Sequence, residues 1–288
     1  MSARVVAGAL GYFLRHAGNP PGRWRLVAAA MKQSGALKGH LRPTVVGTAH
    51  GFRMIVDGSS QAGRVLYLTG RYEPEITAVF ERLVKPGDVV IDGGAHIGFF
   101  ALLASALVGP SGRVFAFEPA RATRMVLEQN VALNGRENVM IVPAALGAAA
   151  GRAILSHGSA HESGQATIRG IAGAARTEPV DVVALDDRIG EDAGRVALVK
   201  LDLEGAELQA LIGMARLILV RRPAIVVEVT DSFLRQTGGS AAALFRHLTG
   251  FGYAAHIIRW NGVETAASEA QFREGGKQFN ALFTHAGG

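Results

Sequence analysis

The chain has 288 residues, 49% of them hydrophobic, enough for one domain or one domain with an extension around a sizeable core. It contains no cysteine, which excludes disulfides and cysteine–metal sites and fits a reducing, cytoplasmic setting. The net charge of +6 is unevenly spread: residues 1–56 hold eight Lys and Arg and no Asp or Glu, so the whole chain's +6 less this arm's +8 leaves −2 for the rest.

Residues 1–43 read as weakly helical, broken by the turn Asn19-Pro20-Pro21-Gly22. No run of 18 apolar residues is present, and Gly8, Gly11 and Arg15 interrupt the short apolar patch Val5 to Leu14, so neither a spanning helix nor a secretory signal is expected. The basic arm is interleaved with Ala and Gly. It reads as a solvated extension packing through Trp24, Leu26, Val27 and Met31, with peripheral contact to an anionic membrane surface as its alternative use. Nucleic acid is disfavoured, because no basic–aromatic stacking pattern appears. From Thr44 to Thr69 the pattern is strand-like, with a turn at Asp57-Gly58-Ser59-Ser60, which makes residues 1–70 an extension that is helical and then a β-hairpin. Glu73 to Val84 carries Ile76, Val79, Phe80 and Leu83 at helical spacing, and Lys85-Pro86-Gly87-Asp88 stops that helix.

Val89-Val90-Ile91 then ends in Asp92, and Gly93, Gly94 and Gly98 punctuate a turn into the apolar run Phe99 to Leu107. Strand, glycine loop and helix in that order make a ligand site: glycine lets a ligand approach the backbone, and a helix N-terminus offers free N–H groups. The loop Asp92-Gly93-Gly94-Ala95-His96-Ile97-Gly98 lacks the Gly-x-Gly-x-x-Gly spacing of dinucleotide dehydrogenases, because Ala95 replaces the second glycine. It reads as Asp-x-Gly-x-x-x-Gly, which suits S-adenosylmethionine, a cofactor with a sulfonium and an amino group and no diphosphate. No Tyr-x-x-x-Lys or similar hydride-transfer pair supports a nicotinamide enzyme. The second strand, Arg113 to Phe117, ends in Glu118-Pro119, where a carboxylate can accept both ribose hydroxyls or cap the helix Ala120 to Asn134.

Val139 to Pro143 is a third strand, followed by the turn Ala144-Ala145-Leu146. Residues 151–188 hold short β pieces between turns rich in Gly, Ser and His, too long for a plain connection, and read as a β insertion beside the site. His157 and His161 form a His-x-x-x-His pair there, a weak candidate for the substrate pocket; Trp24 and Trp260 read as packing residues. Val196 to Leu201 is the fourth strand, Glu207 to Leu219 a helix and Ala224 to Val229 the fifth strand. A helix from Ala241 to Gly250, a strand from Tyr253 to Arg259, a turn at Asn261-Gly262 and a strand from Asn280 to His285 close the chain. Alternating strands and helices predict an α/β fold with a mainly parallel sheet covered on both faces.

The ordered set DGGAHIGFFALLA, FEP with LEQNVALNG, ENVMIVPAALG, VALVKLDLEGAELQALIGM and RRPAIVVEV resembles the FkbM family of S-adenosylmethionine-dependent methyltransferases over roughly Tyr72 to Val229. Gly93 and His96 stand where relatives often carry a β-branched residue and Asn. The resemblance implies a Rossmann-like class I methyltransferase domain over 71–288 with a seven-stranded sheet. It also implies O-methylation of a hydroxyl on a sugar or other small metabolite. It places Glu75 near the methionine amino group of the cofactor.

Ligands of open α/β sheets sit at the carboxyl ends of strands. The expected cofactor residues are therefore Glu75, Asp92, Gly93, Gly94, Ala95, His96, Gly98, Glu118, Pro119, Ala144, Ala145 and Asp202. Asp202 and Glu204 flank Leu203, and alternation points both acids to one side. They are the catalytic candidates, to orient or deprotonate the acceptor hydroxyl, with Lys200 as the cation that keeps Asp202 or Glu228 ionised. Asp202, Glu204 and Glu228 are alternatively the oxygen ligands of a Mg²⁺ ion. A non-catalytic S-adenosylmethionine-binding module is the rival from another class. A homo-oligomer is allowed, with nothing in the sequence to decide it.

Overall fold

The computed structural model describes residues 41–157, 166–168, 176–259, 264–273 and 278–285. Most of the basic arm, with Trp24, and also His161 and Trp260 lie outside these residues. The central sheet is built on β3 (Val89–Gly93), β4 (Arg113–Phe117), β5 (Val139–Val142), β10 (Val196–Leu201) and β11 (Ala224–Val229), all parallel. β12 (Tyr253–Ile258), β13 (Glu264–Ala266) and β14 (Phe279–His285) complete it in the order β13-β12-β14-β11-β10-β3-β4-β5.

Residues 89–93 are buried on both faces, so they read as an unbroken apolar run rather than an alternating one. Val89 and Ile91 pack into one core with Leu211 and Ile218. Val90 points the other way, into a second core with Phe80 and Leu102. The helix α3 (Phe99–Val108) is apolar all round because it lies in that second core, beside α2 (Pro74–Leu83).

Among the described residues the sheet has eight strands where seven were expected. The predicted turn at Asn261-Gly262 lies outside the described residues; Glu264–Ala266 form β13, with Ala266 opposite His256, and after a short helix (Glu269–Arg273) β14 inserts between β11 and β12.

Two further segments depart from their reading. The strand-like stretch Thr44 to Thr69 is a hairpin, β1 (Thr44–Gly47) and β2 (Arg53–Val56), followed by a helix, α1 (Gln61–Thr69). The Ser60 hydroxyl accepts from Gly63 N–H at 2.9 Å, and Ala62, Val65, Leu66 and Thr69 fall on one buried stripe. An N-cap and a 3.6-residue period thus override the β-forming composition. The expected helix Glu207 to Leu219 is two, α5 (Glu207–Ile212) and α6 (Ala215–Arg221). They part at Gly213, where a side chain would overlap the Gly147 carbonyl.

The predicted turn at Ala144 is a strand, β6 (Ala144–Leu146), which pairs with β9 (Arg176–Val183). With β7 (Gly151–His157) and β8 (Ala166–Thr167) these make a second sheet in the order β6-β9-β7-β8.

One polar side chain ties the layers to the site. Asn130, fully buried on α4 (Arg121–Leu133), accepts from Ile55 N–H at 2.6 Å and donates to the carbonyl of Ile97 at 2.8 Å. Asn134 accepts from Arg53 N–H at 2.9 Å and donates to its carbonyl at 2.7 Å. The two asparagines of LEQNVALNG thus hold the hairpin and the glycine loop to one helix, satisfying backbone groups that would otherwise be buried unpaired.

Candidate active site

The parallel strands end at one edge, and the order reverses between β3 and β10, where a crevice forms in sheets of this kind. Gly94 and Ala95 N–H both donate to the Phe117 carbonyl at 3.0 Å, and Asp202 N–H donates to Gly93 at 3.1 Å. The loops after β3, β4 and β10 are therefore bonded together. Gly94 has φ +78°, and a Cβ there would overlap the Asp202 carbonyl oxygen. Gly98, at φ +94°, caps α3 against Leu127. At Gly93 the room for a larger residue is taken by Leu146 and Leu201.

Asp92 is fully buried, and neither of its carboxylate oxygens has a hydrogen-bond partner. Burial pushes its pKa up to about 6 against the opposing pull of Lys200. Glu118 caps the following helix, one of the two roles foreseen for it. Oε1 accepts from Ala120 N–H at the start of α4 at 2.8 Å, and Oε2 accepts from His96 N–H at 2.9 Å. Each oxygen keeps a second lone pair, so the cap leaves ribose recognition open. Burial raises the Glu118 pKa to about 7 and lowers that of His96 to about 4, so His96 is neutral. Its left-handed backbone (φ 50°) and its N–H bond make it a loop-shaping residue. Pro119 gives its carbonyl to Arg124 at 2.9 Å, and Ala144 and Ala145 are buried in β6.

Lys200 is 5% exposed, and its ammonium lies 3.2 Å from Asp202 Oδ2 and 5.0 Å over the Phe100 ring. Burial alone would lower its pKa, but Asp202, Asp92 and Glu73 outweigh burial and hold it above the ordinary lysine range. Glu228 Oε1 accepts from the Gln278 amide, and burial, then Asp202, Glu204 and Glu73, push its pKa up to about 9. These contacts give the Mg²⁺ reading of Asp202, Glu204 and Glu228 no support. Lys200 holds one Asp202 oxygen and Gln278 one Glu228 oxygen, and among the described residues no group of three or more acids or histidines converges as a metal cage.

The site holds two carboxylates that the sequence reading passed over. Glu207 Oε1 accepts from Leu203 N–H at 2.9 Å and Gly205 N–H at 3.1 Å, folding the Asp202–Ala206 loop back onto its helix. The spacing Glu204-x-x-Glu207 at a helix start is the available signal, since such a residue reaches back to cap. Glu73 is the other. Glu75, in the first turn of α2, has its pKa raised by burial, but it is Glu73 whose charge reaches Lys200, Tyr72 and Glu228. Pro74 is its signal, because the residue before a proline is turned away from helical geometry.

From the second sheet, the Thr167 hydroxyl donates to the Glu204 carbonyl at 2.9 Å, so the insertion touches the site through its backbone. His157 pairs with Glu178 at 3.0 Å inside that sheet.

The raised carboxylates predict how stability follows pH. Asp92 (about 6), Glu73, Glu118 and Glu207 (about 7) and Glu228 (about 9) hold protons in the folded chain at pH values where the unfolded chain has lost them. Their contribution is full below about pH 4 and is lost as pH rises through 6 to 9. His96 works in the opposite direction, costing stability as pH falls below 6.5. From these groups, thermal melts at constant ionic strength should be highest at about pH 4 to 5 and decline as pH rises, by on the order of 5 °C between pH 6 and 9. A flat or rising profile over that range would show that these carboxylates titrate normally.

Residues 92–255 match the family model of the methyltransferase FkbM domain. Among curated proteins, the AMB antimetabolite synthetase AmbE of Pseudomonas aeruginosa is 26% identical over 251 residues. That alignment takes in 71% of this chain and only 11% of AmbE, so the chain spans about a tenth of that relative. Among solved structures, methyltransferase FkbM from Methylobacillus flagellatus aligns over 89% of this chain and 59% of its own, at 16% identity and a TM-score of 0.45. Fibrillarin from Aeropyrum pernix, with natively bound S-adenosyl-L-methionine, aligns over 73% of each chain at 12% identity and a TM-score of 0.42. The family match covers more than half of the sequence and takes in the glycine loop, Glu118, Lys200, Asp202 and Glu228: this chain belongs to the FkbM methyltransferase family.

Proposed function

We propose that the protein transfers a methyl group from S-adenosylmethionine to a hydroxyl of a small molecule, a sugar or a secondary metabolite. The observation that carries this reading is Asp92, a fully buried carboxylate with two unpartnered oxygens beneath a loop that only glycine permits. A cationic cofactor supplies the charge that such a group lacks, whereas a diphosphate would be repelled by it. Glu118, with both oxygens already oriented by backbone N–H groups, is placed to receive the ribose hydroxyls. The likeness to part of an antimetabolite synthetase goes with a secondary-metabolite acceptor.

When bound, the cofactor supplies a methyl group on a cationic sulfur. The chain supplies the rest. Gly94 and Gly98 let the cofactor close on the backbone, Asp202, paired with Lys200, orients the acceptor, and the Leu203–Ala206 backbone, fastened by Glu207 and Thr167, shapes the acceptor side. No metal enters this reading. Calorimetric titration with S-adenosylhomocysteine and, separately, NAD⁺ tests it. The first is expected to bind and the second not, and tritiated methyl from S-adenosylmethionine is expected to pass to members of a panel of methyl glycosides. Binding of NAD⁺ alone would overturn the reading.

A further inference from the structure

Three of the four non-glycine residues with positive φ among the described residues, Glu73, His96 and Glu204, surround this one edge of the sheet. Backbone strain of that sort persists where a site holds it in place. For Glu73 (φ 36°, ψ 67°) the holding contacts are visible. Pro74 follows it, Thr77 N–H donates to the Glu73 carbonyl at 2.9 Å, and the Thr77 hydroxyl donates to the Tyr72 carbonyl at 3.0 Å. The Tyr72 ring meets Phe99 at 5.7 Å and Phe100 at 6.1 Å, and Phe100 is the ring beneath the Lys200 ammonium. The strained turn therefore sets Glu73 next to a ring packed on Phe100, within electrostatic reach of Lys200 and Asp202.

We infer that Glu73 is the proton acceptor of methyl transfer, the carboxylate that takes the hydroxyl proton of the acceptor. The inference rests on the O-methyl transfer proposed above. As the acceptor oxygen forms its bond to the methyl carbon, the O–H bond breaks and the proton passes to Glu73. The electron pair of the S–CH3 bond stays on sulfur, leaving S-adenosylhomocysteine, the methyl ether and a protonated Glu73, which returns its proton to solvent.

Four of the other carboxylates at this edge are committed. Glu118 and Glu207 hold backbone N–H groups, Asp92 is sealed from solvent, and Asp202 has the one cation at 3.2 Å. Glu73 is partly exposed. Facing it are Lys200 from β10, Asp202 from the loop after it, Glu228 from β11, Glu75 from the adjoining helix and the Tyr72 hydroxyl. One ammonium among these acids, already taken by Asp202, leaves burial as the dominant influence, and it raises the Glu73 pKa to about 7. A carboxylate so poised accepts a proton at neutral pH and releases it again, as a general base requires. Glu228, pushed higher still, stays protonated beside it.

The test uses the full chain labelled with glutamate carrying ¹³C in the side-chain carboxyl, compared with Glu73→Gln and Glu73→Asp. Glu73→Gln is expected to remove one carbon signal titrating near pH 7 while those of Glu118 and Glu207 remain, which also reports an intact fold. S-adenosylhomocysteine affinity should stay within threefold of wild type. With any methyl glycoside that accepts label, kcat should fall 10²- to 10⁴-fold at unchanged KM, the rate should lose its rise through pH 7, and Glu73→Asp should recover part of it. If no glycoside accepts label, the titration and the affinity decide. A Glu73 signal titrating below pH 5, a tenfold or greater loss of S-adenosylhomocysteine affinity, or an unchanged kcat would each overturn the assignment. A wild-type protein without affinity for S-adenosylhomocysteine would overturn methyl transfer itself, and Glu73 with it, whereas failures confined to the variants reject Glu73 alone.

Discussion

Asp92→Asn is expected to melt at a higher temperature than the wild type at pH 7.5 and to bind S-adenosylhomocysteine at least 100-fold more weakly. The carboxylate is sealed from solvent and has no hydrogen-bond donor, and its pKa stands at about 6 in place of 3.8. A shift of that size amounts to ~3 kcal/mol between the protonated and ionised forms. Because the folded value is raised, the stabilising form is the protonated one, and its benefit is lost as pH rises through 6. The neutral amide removes most of that cost. Lys200 loses one counter-charge in the variant but keeps Asp202 at 3.2 Å, so a net gain of about 1 kcal/mol, a few degrees in a chain of this size, is expected. The loss in affinity has the opposite sign because the buried negative charge is what a cationic ligand meets, and 100-fold corresponds to about 2.7 kcal/mol. Calorimetry gives both quantities on one sample. A variant that binds as tightly as wild type would place Asp92 outside the cofactor's reach and leave it a purely structural burden.

Gly94→Ala is expected to cost about 3–5 kcal/mol, to lower the melting temperature by on the order of 10 °C and to abolish S-adenosylhomocysteine binding. The left-handed backbone at φ +78° costs an L-residue about 1–2 kcal/mol by itself. The larger share is overlap with the Asp202 carbonyl, which has nowhere to go. Asp202 N–H is bonded to Gly93, and Gly94 N–H to the Phe117 carbonyl, so the new methyl pushes the tips of β3 and β10 apart. Gly151→Ala is the control, since a Cβ there meets no atom within 4 Å and the residue is not left-handed. It should stay within about 0.5 kcal/mol of wild type. Equal melting temperatures for the two variants would show that the loops after β3 and β10 are not locked together as described.

The strand–loop–helix around Asp92 and the acid at the tip of β4 were legible because local patterns define them. An apolar run long enough for one buried strand, three glycines and a second apolar run at helical length permit one arrangement, and Glu118-Pro119 follows a strand directly. The stretch 44–69 misled because Val, Ile, Leu, Tyr and Thr populate it. The Ser60 cap and the buried stripe from Ala62 to Thr69 compete with that composition and prevail once the hairpin and the core give the stripe something to pack on. β13 is three residues, Glu264-Thr265-Ala266, too few for any period to identify, and it exists because β12 offers an edge.

The amino-acid sequence by itself determined the α/β layering, the glycine loop, the carboxylates at the strand tips and the family, since each depends on residues that are near neighbours in the chain. What the carboxylates do was decided by tertiary structure alone. Asp202, Glu204 and Glu228 have the spacing of a metal site, and only the folded chain shows Lys200 and Gln278 occupying two of their oxygens. Glu73 precedes Lys200 by more than a hundred residues, and its place within reach of that ammonium follows from α2 packing directly against β10. Charge at a buried site is shared among whichever groups the fold brings within a few ångströms. Its partition between a bound proton, an ion pair and an unpartnered oxygen is therefore a property of the assembled edge of the sheet, and no single segment contains it.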